Sequence, residues 1–298
     1  MHIALVVPFL NEERHLPVLL GSIAGQSRRP DRLLLVDDGS TDGSASVAEA
    51  FCAEHEFATV LRRPPRAVGR DRLVGGAAVR AFAWGTEQID GPWDVVAKID
   101  ADLQLTPETV AAVEAALLAD PGLGITGPYL STPDEQGIPV RHRGRPEHVD
   151  GAVKFYRRGC FDDISPMPLM LGWDTIDEVR AKLRGWRSQA LELPGGDPCH
   201  HRPMSSHDGI LRGYRRRGAC AWASGEPALH VLLIGVQRLG DRPRVLAGAS
   251  YVLGWAIAGL RRDPRAEREV RDAVREETLS RIRTRARREL LRQGRTVG

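Results

Sequence analysis

Lysine is almost missing from this chain. Only three of the 42 basic side chains among its 298 residues are lysines, at positions 98, 154 and 182, so an arginine standing where a motif has lysine carries less meaning than it would elsewhere. Cysteine is scarce as well. Cys52, Cys160, Cys199 and Cys220 form no C-x-x-C pair, which argues against a zinc ribbon and fits free thiols in a reducing compartment. Met1 runs straight into an apolar segment, with neither a basic n-region nor a small-residue cleavage site, so no signal peptide is expected. Neither a P-loop nor a dinucleotide fingerprint follows the first apolar run, which argues against kinases and dehydrogenases. Repeats and low-complexity blocks are missing too. The uncharged segment Val245–Leu260 has 16 residues, short of the about 20 that a membrane-spanning helix needs.

What is present is ordinary for a globular protein. Apolar residues make up 42% and charged residues 27%, enough to build a core and to exclude disorder along the whole chain. The net charge of +3 conceals an asymmetry. From Arg261 to Gly298 there are 13 arginines against 7 acidic residues, a local charge of +6 that leaves the rest at −3. Such a basic end suggests either an anionic surface as partner or a solvated helix face.

His2–Val7 is an apolar run stopped by Pro8 and reads as a buried strand. Leu16, Leu19, Leu20 and Ile23 recur at helix spacing. Leu33–Val36, Thr59–Leu61 and Val95–Ile99 read as further strands, with helices predicted over Ser44–Glu56 and Leu73–Gln88. Thr106-Pro107-Glu108 opens another helix, since Thr caps well and Pro is tolerated in the first turn. Strand and helix alternate to about Gly127, the pattern of a mostly parallel sheet covered by helices. Beyond it, Leu130–Asp150 reads as a loop or lid and Val153–Tyr156 as a strand. Asp174–Arg184 is a predicted helix ended by Gly185, followed by helices over Ala228–Leu239, Val245–Leu260 and Arg265–Arg292.

Several segments carry chemistry. Pro8-Phe9-Leu10-Asn11-Glu12 follows the first strand, and Asp37-Asp38-Gly39-Ser40-Thr41-Asp42 follows the second. Open α/β sheets bind ligands at the carboxyl ends of their strands. A carboxylate there can accept the imide N–H of a uracil-like base, and a glycine lets the backbone come close. Alone, Asp-Asp-Gly-Ser also reads as a turn and helix cap. Lys98-Ile99-Asp100-Ala101-Asp102 ends the Val95–Ile99 strand in Asp-x-Asp. Its oxygens suit a hard divalent cation that a diphosphate also binds, and residues i and i+2 of a strand share a face. By itself this is equally a solvated turn. Gly172-Trp173-Asp174-Thr175-Ile176-Asp177-Glu178 puts acids in the first turn of a predicted helix, where they also favour its dipole. His200-His201-Arg202-Pro203 comes later.

In order and spacing over residues 1–127, Pro-x-x-Asn-Glu, Val-Asp-Asp-Gly-Ser-Thr-Asp and an apolar strand ending Asp-Ala-Asp resemble the amino-terminal pattern of the inverting, bacterial-type family 2 glycosyltransferases. The resemblance implies a GT-A fold: a Rossmann-like α/β layout with a mostly parallel sheet and helices on both faces, here with a C-terminal helical extension. It implies that Pro8, Glu12 and Asp38 line the nucleoside site, that Asp100 contacts the nucleotide sugar and that Asp102 binds the metal. Where relatives carry a Gly/Lys-rich stretch, this chain has Val68-Gly69-Arg70-Asp71-Arg72, and Arg70 or Arg72 is suited to fork onto the diphosphate. The family's Glu-Asp at a helix start corresponds to Trp173-Asp174, with Gly185 11 residues beyond Asp174. This implies Asp174 as the base that deprotonates an acceptor hydroxyl, with Asp177 one helical turn away as runner-up. Trp173, in place of Glu, offers an apolar wall to a sugar ring. A late histidine in the family completes the metal site or touches the diphosphate. His201 fits that position, and His200 competes with it.

The expectation is therefore an enzyme, an inverting glycosyltransferase of the hexosyltransferase class. It would use Mg²⁺ or Mn²⁺ and move a sugar from a nucleotide-diphosphate sugar to an acceptor hydroxyl in glycan, polysaccharide or glycolipid synthesis. Residues 1–227 are expected to form the GT-A domain, with 1–127 as its nucleotide-sugar-binding half and 128–227 as its acceptor and catalytic half; 228–298 form the helical extension. The alternative is a nucleotide-sugar-binding or nucleotidyltransferase-like protein of the same layout. A binding module should have lost Asp102 or Asp174, and a nucleotidyltransferase should carry a Gly-rich loop with Arg and Lys after strand one; neither holds. The acceptor is expected to be a glycan or a lipid-linked molecule, with no nucleic-acid partner. The protein is expected in the cytoplasm, with peripheral contact at the inner face of the membrane through 245–298, and as a monomer or a homo-oligomer. Val245–Leu260 itself reads as a buried or interfacial helix.

Overall fold

The computed structural model describes residues 1–64, 76–134, 136–142, 144–201, 209–241 and 243–295, with side chains of the last helix described as far as 284. Two compact units emerge, one of residues 1–169 and 173–203, the other of 170–172 and 204–298.

The first unit contains, in chain order, β1 (Ile3–Phe9), α1 (Leu16–Ala24), β2 (Arg32–Asp37), α2 (Ser44–Glu54), β3 (Ala58–Arg62), α3 (Ala77–Thr86), β4 (Val95–Ile99), β5 (Leu103–Gln104), α4 (Thr109–Ala119), β6 (Leu123–Pro128), β7 (Ser131–Pro133), β8 (Pro139–Arg141), β9 (Val153–Arg157), α5 (Arg158–Ile164), α6 (Trp173–Leu183), β10 (Arg187–Leu191) and β11 (Cys199–His200). Seven strands form one sheet in the order β10-β6-β9-β4-β1-β2-β3. β1 runs parallel to β2 and β4, and β2 parallel to β3; β9 lies antiparallel between β4 and β6. The continuous apolar runs of β1 and β2 follow from burial on both faces. Ile3, Leu5 and Val7 join a core with Leu16, Leu19 and Val113, while Ala4 and Val6 join another with Val79, Phe82 and Tyr156.

The structure departs from the sequence reading in places. Thr109, three residues beyond the predicted cap, opens α4, because the Thr109 N–H and hydroxyl both donate to the Thr106 carbonyl. The stretch Leu130–Asp150, read as a loop or lid, contains β7 and β8, which join β5 and β11 in a small second sheet of order β5-β11-β7-β8. Gly122, Gly124 and Gly127 have the glycine spacing of a dinucleotide turn, but all but Gly122 lie within strand β6.

The second unit consists of α7 (Ile210–Ser224), α8 (Ala228–Gln237), α9 (Leu246–Leu260) and α10 (Arg268–Arg295), together with a short 3₁₀ turn after α8. Its boundary falls after residue 203, ahead of the 227/228 division read from the sequence, because α7 packs on α9. Glycines allow that approach: a Cβ on Gly218 would stand 1.9 Å from the Tyr251 carbonyl oxygen, and one on Gly254 2.0 Å from that of Arg215. A Cβ on Gly248 would similarly stand 2.2 Å from the Gly235 carbonyl oxygen of α8. Ala247, Gly248, Tyr251, Gly254 and Ala258 of α9 are buried, so this segment packs against both α7 and α8. Among the described residues no helix is long and apolar enough to cross a membrane.

Candidate active site

The loops after β1 and β2 brace one another. Asn11 takes a left-handed conformation, φ 55°, which asparagine tolerates better than most residues. Its N–H donates to Ser40 Oγ at 3.1 Å, and its side-chain oxygen accepts the Thr41 N–H at 2.8 Å. The Glu12 N–H donates to Ser44 Oγ at 2.7 Å. Asp37 accepts the Gly39 and Ser40 N–H groups, forming an Asx-type turn. Much of the two motifs is thus mutual scaffolding, which holds Pro8, Glu12 and Asp38 at the carboxyl end of the sheet. Glu12 is buried and its Oε2 lies 3.3 Å from His15 Nδ1. Asp38 Oδ1 accepts from Arg63 Nη1 at 2.7 Å. Arg63, buried just past β3, is a neighbour of the candidate site that the sequence reading did not single out; its signal was an arginine one step beyond a strand of the same sheet. Arg70, expected at the diphosphate, and Arg72 lie outside the described residues.

Next to these loops, β4 delivers Asp100 and Asp102. The Asp100 N–H donates to the Ala152 carbonyl at 2.8 Å, and buried Lys98 donates to the Asp100 carboxylate and to the Gly151 carbonyl. Desolvation pushes the Asp100 carboxyl above the ordinary range, with the Asp102 charge adding to the shift and Lys98 opposing it. Asp102 Oδ1 lies 3.2 Å from His200 Nε2. Burial works to lower the His200 imidazole, but the hydrogen bond and charge of Asp102 outweigh it and raise it. Asp100, Asp102 and His200 bring potential ligand atoms within 4.8 Å of one another. The expected His201 is not in that group, and His200 takes its place. β11 pairs His200 with Leu103, and successive side chains along a strand face opposite ways. The His201 ring instead stacks on His15 at 5.9 Å. Hard carboxylate oxygens with one imidazole suit Mg²⁺ or Mn²⁺. Among the described residues the buried Nδ1 of His200 has no hydrogen-bond partner, nor has Nε2 of His201, and the two carboxylates with the His200 imidazole form a donor set that fits a divalent cation. His142, missed in the sequence, sits 6.4 Å from His200, centroid to centroid, with Nδ1 3.2 Å from Asp150.

The third part is the start of α6. Lys154 of β9 is the register partner of Lys98, and both are fully buried. Lys154 Nζ donates to the Asp174 carbonyl at 2.5 Å and to Asp177 at 3.0 Å, and it lies 3.0 Å from Glu178. Tyr156 also donates to Asp177, at 2.6 Å. Asp177 is wholly buried in this network and cannot meet a substrate, which removes it as runner-up base. Asp174 is half-buried at the helix edge. Its position depends on Gly151, where a Cβ would stand 2.9 Å from Asp174 Cβ. The Trp173 ring lies 5.4 Å from Lys98 Nζ and 5.6 Å from Lys154 Nζ, so two of the chain's three lysines flank it. Desolvation works against the Lys154 charge, but Asp177, Glu178 and Asp174 together hold the ammonium above the ordinary lysine range. Lys154→Met leaves Asp177 buried without its cation, a cost of about 3–5 kcal/mol. We expect the melting temperature to fall by roughly 10 °C; an unchanged thermal melt would show that the network does not hold α6.

Residues 4–165 match the model of Glycosyl transferase family 2. Over 125 residues, 42% of this chain, the sequence is 34% identical to the undecaprenyl-phosphate mannosyltransferase of Micrococcus luteus, covering 48% of that protein. It is 38% identical over 128 residues to the undecaprenyl-phosphate 4-deoxy-4-formamido-L-arabinose transferase of Pseudomonas fluorescens, covering 42% of this chain and 34% of that protein. The chain thus spans half or less of these curated relatives. Among solved structures, the mannosyltransferase PcManGT from Pyrobaculum calidifontis, in complex with GDP-Man and Mn²⁺, superposes with a TM-score of 0.52 at 17% identity, covering 87% of this chain and 75% of that one. That likeness is one of fold, the GT-A fold that the sequence implied.

Proposed function

Because the chain belongs to glycosyl transferase family 2, whose model matches more than half of it, we propose that it transfers a sugar from a nucleotide-diphosphate sugar to an acceptor hydroxyl, with inversion and with a divalent cation. The observation that carries this reading is the group of Asp100, Asp102 and His200 at the end of β4, next in the sheet to the braced loops of β1 and β2. In this reading Pro8, Glu12 and Asp38 receive the nucleoside, and Asp100, Asp102 and His200 would hold Mg²⁺ or Mn²⁺. When bound, such a cation offsets the negative charge that builds on the departing diphosphate. Asp174 orients the acceptor hydroxyl and takes its proton as the new bond forms, while Trp173 offers its face to the sugar. A screen of nucleotide sugars for release of free nucleoside diphosphate, with and without chelator, tests the reading; release from none of them would overturn it.

The curated relatives' names supply a second reading of the acceptor, a polyprenyl phosphate. A phosphate oxygen is largely ionised at neutral pH and needs no base, so the two acceptors differ in what they ask of Asp174. Either acceptor, if lipid-linked, fits peripheral membrane contact in which the basic segment 261–298, at +6, contributes attraction to anionic lipid.

Asp38 affords a test of the nucleoside site. With its oxygen held by Arg63, an asparagine at 38 would turn an amide donor toward the N–H of the base. Asp38→Asn should raise the donor KM about 10-fold or more, the loss of one charge-assisted hydrogen bond, and leave kcat within a few-fold, since the contact persists from ground to transition state. An unchanged donor KM in steady-state kinetics would place the base elsewhere.

A further inference from the structure

Large exposed apolar side chains are not spread evenly over this protein. Of the fifteen among the described residues, ten lie between Ile210 and Leu260, in the second unit. Five belong to one short stretch: Leu229, Leu232, Leu233 and Val236 of α8, followed by Leu239. The first four have the spacing i, i+3, i+4, i+7, a single stripe along the helix. The opposite side of α8 is already used, with Val231 and Gly235 buried and Gly235 against Val252 and Gly248 of α9. Apart from His230 and Gln237, α8 is apolar, with one side packed and the other open. A helix of that kind is ordinarily buried, and an exposed patch of this size marks an interaction surface.

The charges around the stripe identify its occupant. Residues 226–263 hold five arginines and three acids. Of the acids, Glu226 is engaged by His230 at 2.6 Å, and Asp241 by Arg238 at 3.4 Å and by the Tyr214 hydroxyl at 3.2 Å. Arg244, Arg261 and Arg262 are exposed. The Val245 N–H donates to the Leu239 carbonyl, which puts Arg244, Val245 and Leu246 beside the last residues of the stripe. Two copies of this chain meeting at this face would bring like charges together. An anionic lipid surface offers both an apolar interior for the leucines and phosphates for the arginines.

We propose that the open face of α8, with Leu246 at the start of α9, docks on an anionic membrane surface, the leucines entering the interface and the flanking arginines meeting lipid phosphates. This deepens the functional reading above and rests on it for its purpose, since it would hold the enzyme where a lipid-linked acceptor resides. It differs from attachment by the basic C-terminal segment alone in that apolar insertion should survive salt.

The test is flotation with phosphatidylglycerol–phosphatidylcholine vesicles, at low and high salt, without nucleotide sugar. Full-length protein should float, and a measurable fraction should still float at high salt. In the variant Leu232→Glu with Leu233→Glu, binding should fall roughly tenfold or more, as two apolar side chains lose their burial. These side chains are 54% and 43% exposed, so the fold should be kept, with circular dichroism as the check. Binding of this variant equal to that of the unmodified protein would overturn the proposal. So would a dimer in solution that the same substitutions dissociate, because a second copy would then cover the face. Equal flotation on pure phosphatidylcholine would overturn the anionic preference. Nucleotide-sugar turnover is measured separately: its absence in the unmodified protein would sink the functional reading and leave the docking result standing.

Discussion

Asp102→Asn is expected to lower transfer by about 10³-fold or more and to weaken donor binding, the loss of several kcal/mol of charge stabilisation on the leaving group. Asparagine keeps the shape and leaves an oxygen for His200, so the fold should survive. What changes is charge. Lys98 pairs with Asp100, His142 lies beside Asp150, and beside His200 lies Asp102. Removing it takes away the negative charge that would hold a divalent cation beside a diphosphate. His200→Ala should do the same in a weaker form, because a neutral imidazole contributes a ligand but no charge, and His201→Ala should do little. Turnover titrated with Mn²⁺ and Mg²⁺, with and without excess chelator, checks all three. Full activity in chelator, or in Asp102→Asn, would end the proposal of a metal-dependent reaction.

Asp174→Asn should cut kcat by roughly 10²–10⁴-fold on a hydroxyl acceptor, the usual worth of general-base catalysis, with donor KM nearly unchanged. The carboxylate stands at the first turn of α6, its backbone held by Lys154 at 2.5 Å. Asparagine preserves that geometry and hydrogen-bonding capacity and loses only basicity, so the effect belongs to the transition state. A phosphate acceptor changes the expectation, since its oxygen arrives ionised and the same substitution should cost little. Running the variant on both acceptor classes therefore separates the two readings. Near-normal turnover on a hydroxyl acceptor, or a product that keeps the donor's anomeric configuration, would rule out Asp174 as the base of an inverting displacement.

Local features of the sequence were enough to read the strand–helix alternation to Gly127, the loops at the ends of β1 and β2 and the acids at the end of β4. Apolar runs are continuous where both faces of a strand are buried, and turn residues cluster where the chain must reverse, so these signals lie within a few residues of one another. The starts of α6, α8 and α9 were legible to within about a residue for the same reason.

Contacts distant along the chain were decided by tertiary structure. The choice of His200 over His201 depends on a two-residue strand pairing with Leu103, nearly a hundred residues away, and a one-residue change of register would have reversed it. Asp177 and Asp174 look alike in sequence, one helical turn apart. Only the arrival of Lys154 and Tyr156 from β9 seals one in the interior and leaves the other at the edge. By composition the uncharged segment 245–260 was the one read as a buried or interfacial helix, and 228–239 simply as an apolar helix. Glycines at 218, 235, 248 and 254 let α9 pack against both of its neighbours, which buries one side of it and leaves Leu246, Leu253 and Leu260 exposed, while the stripe of α8 stays open. Hydrophobicity is a property of the residue, but which hydrophobic face is left without a partner is a property of the packing.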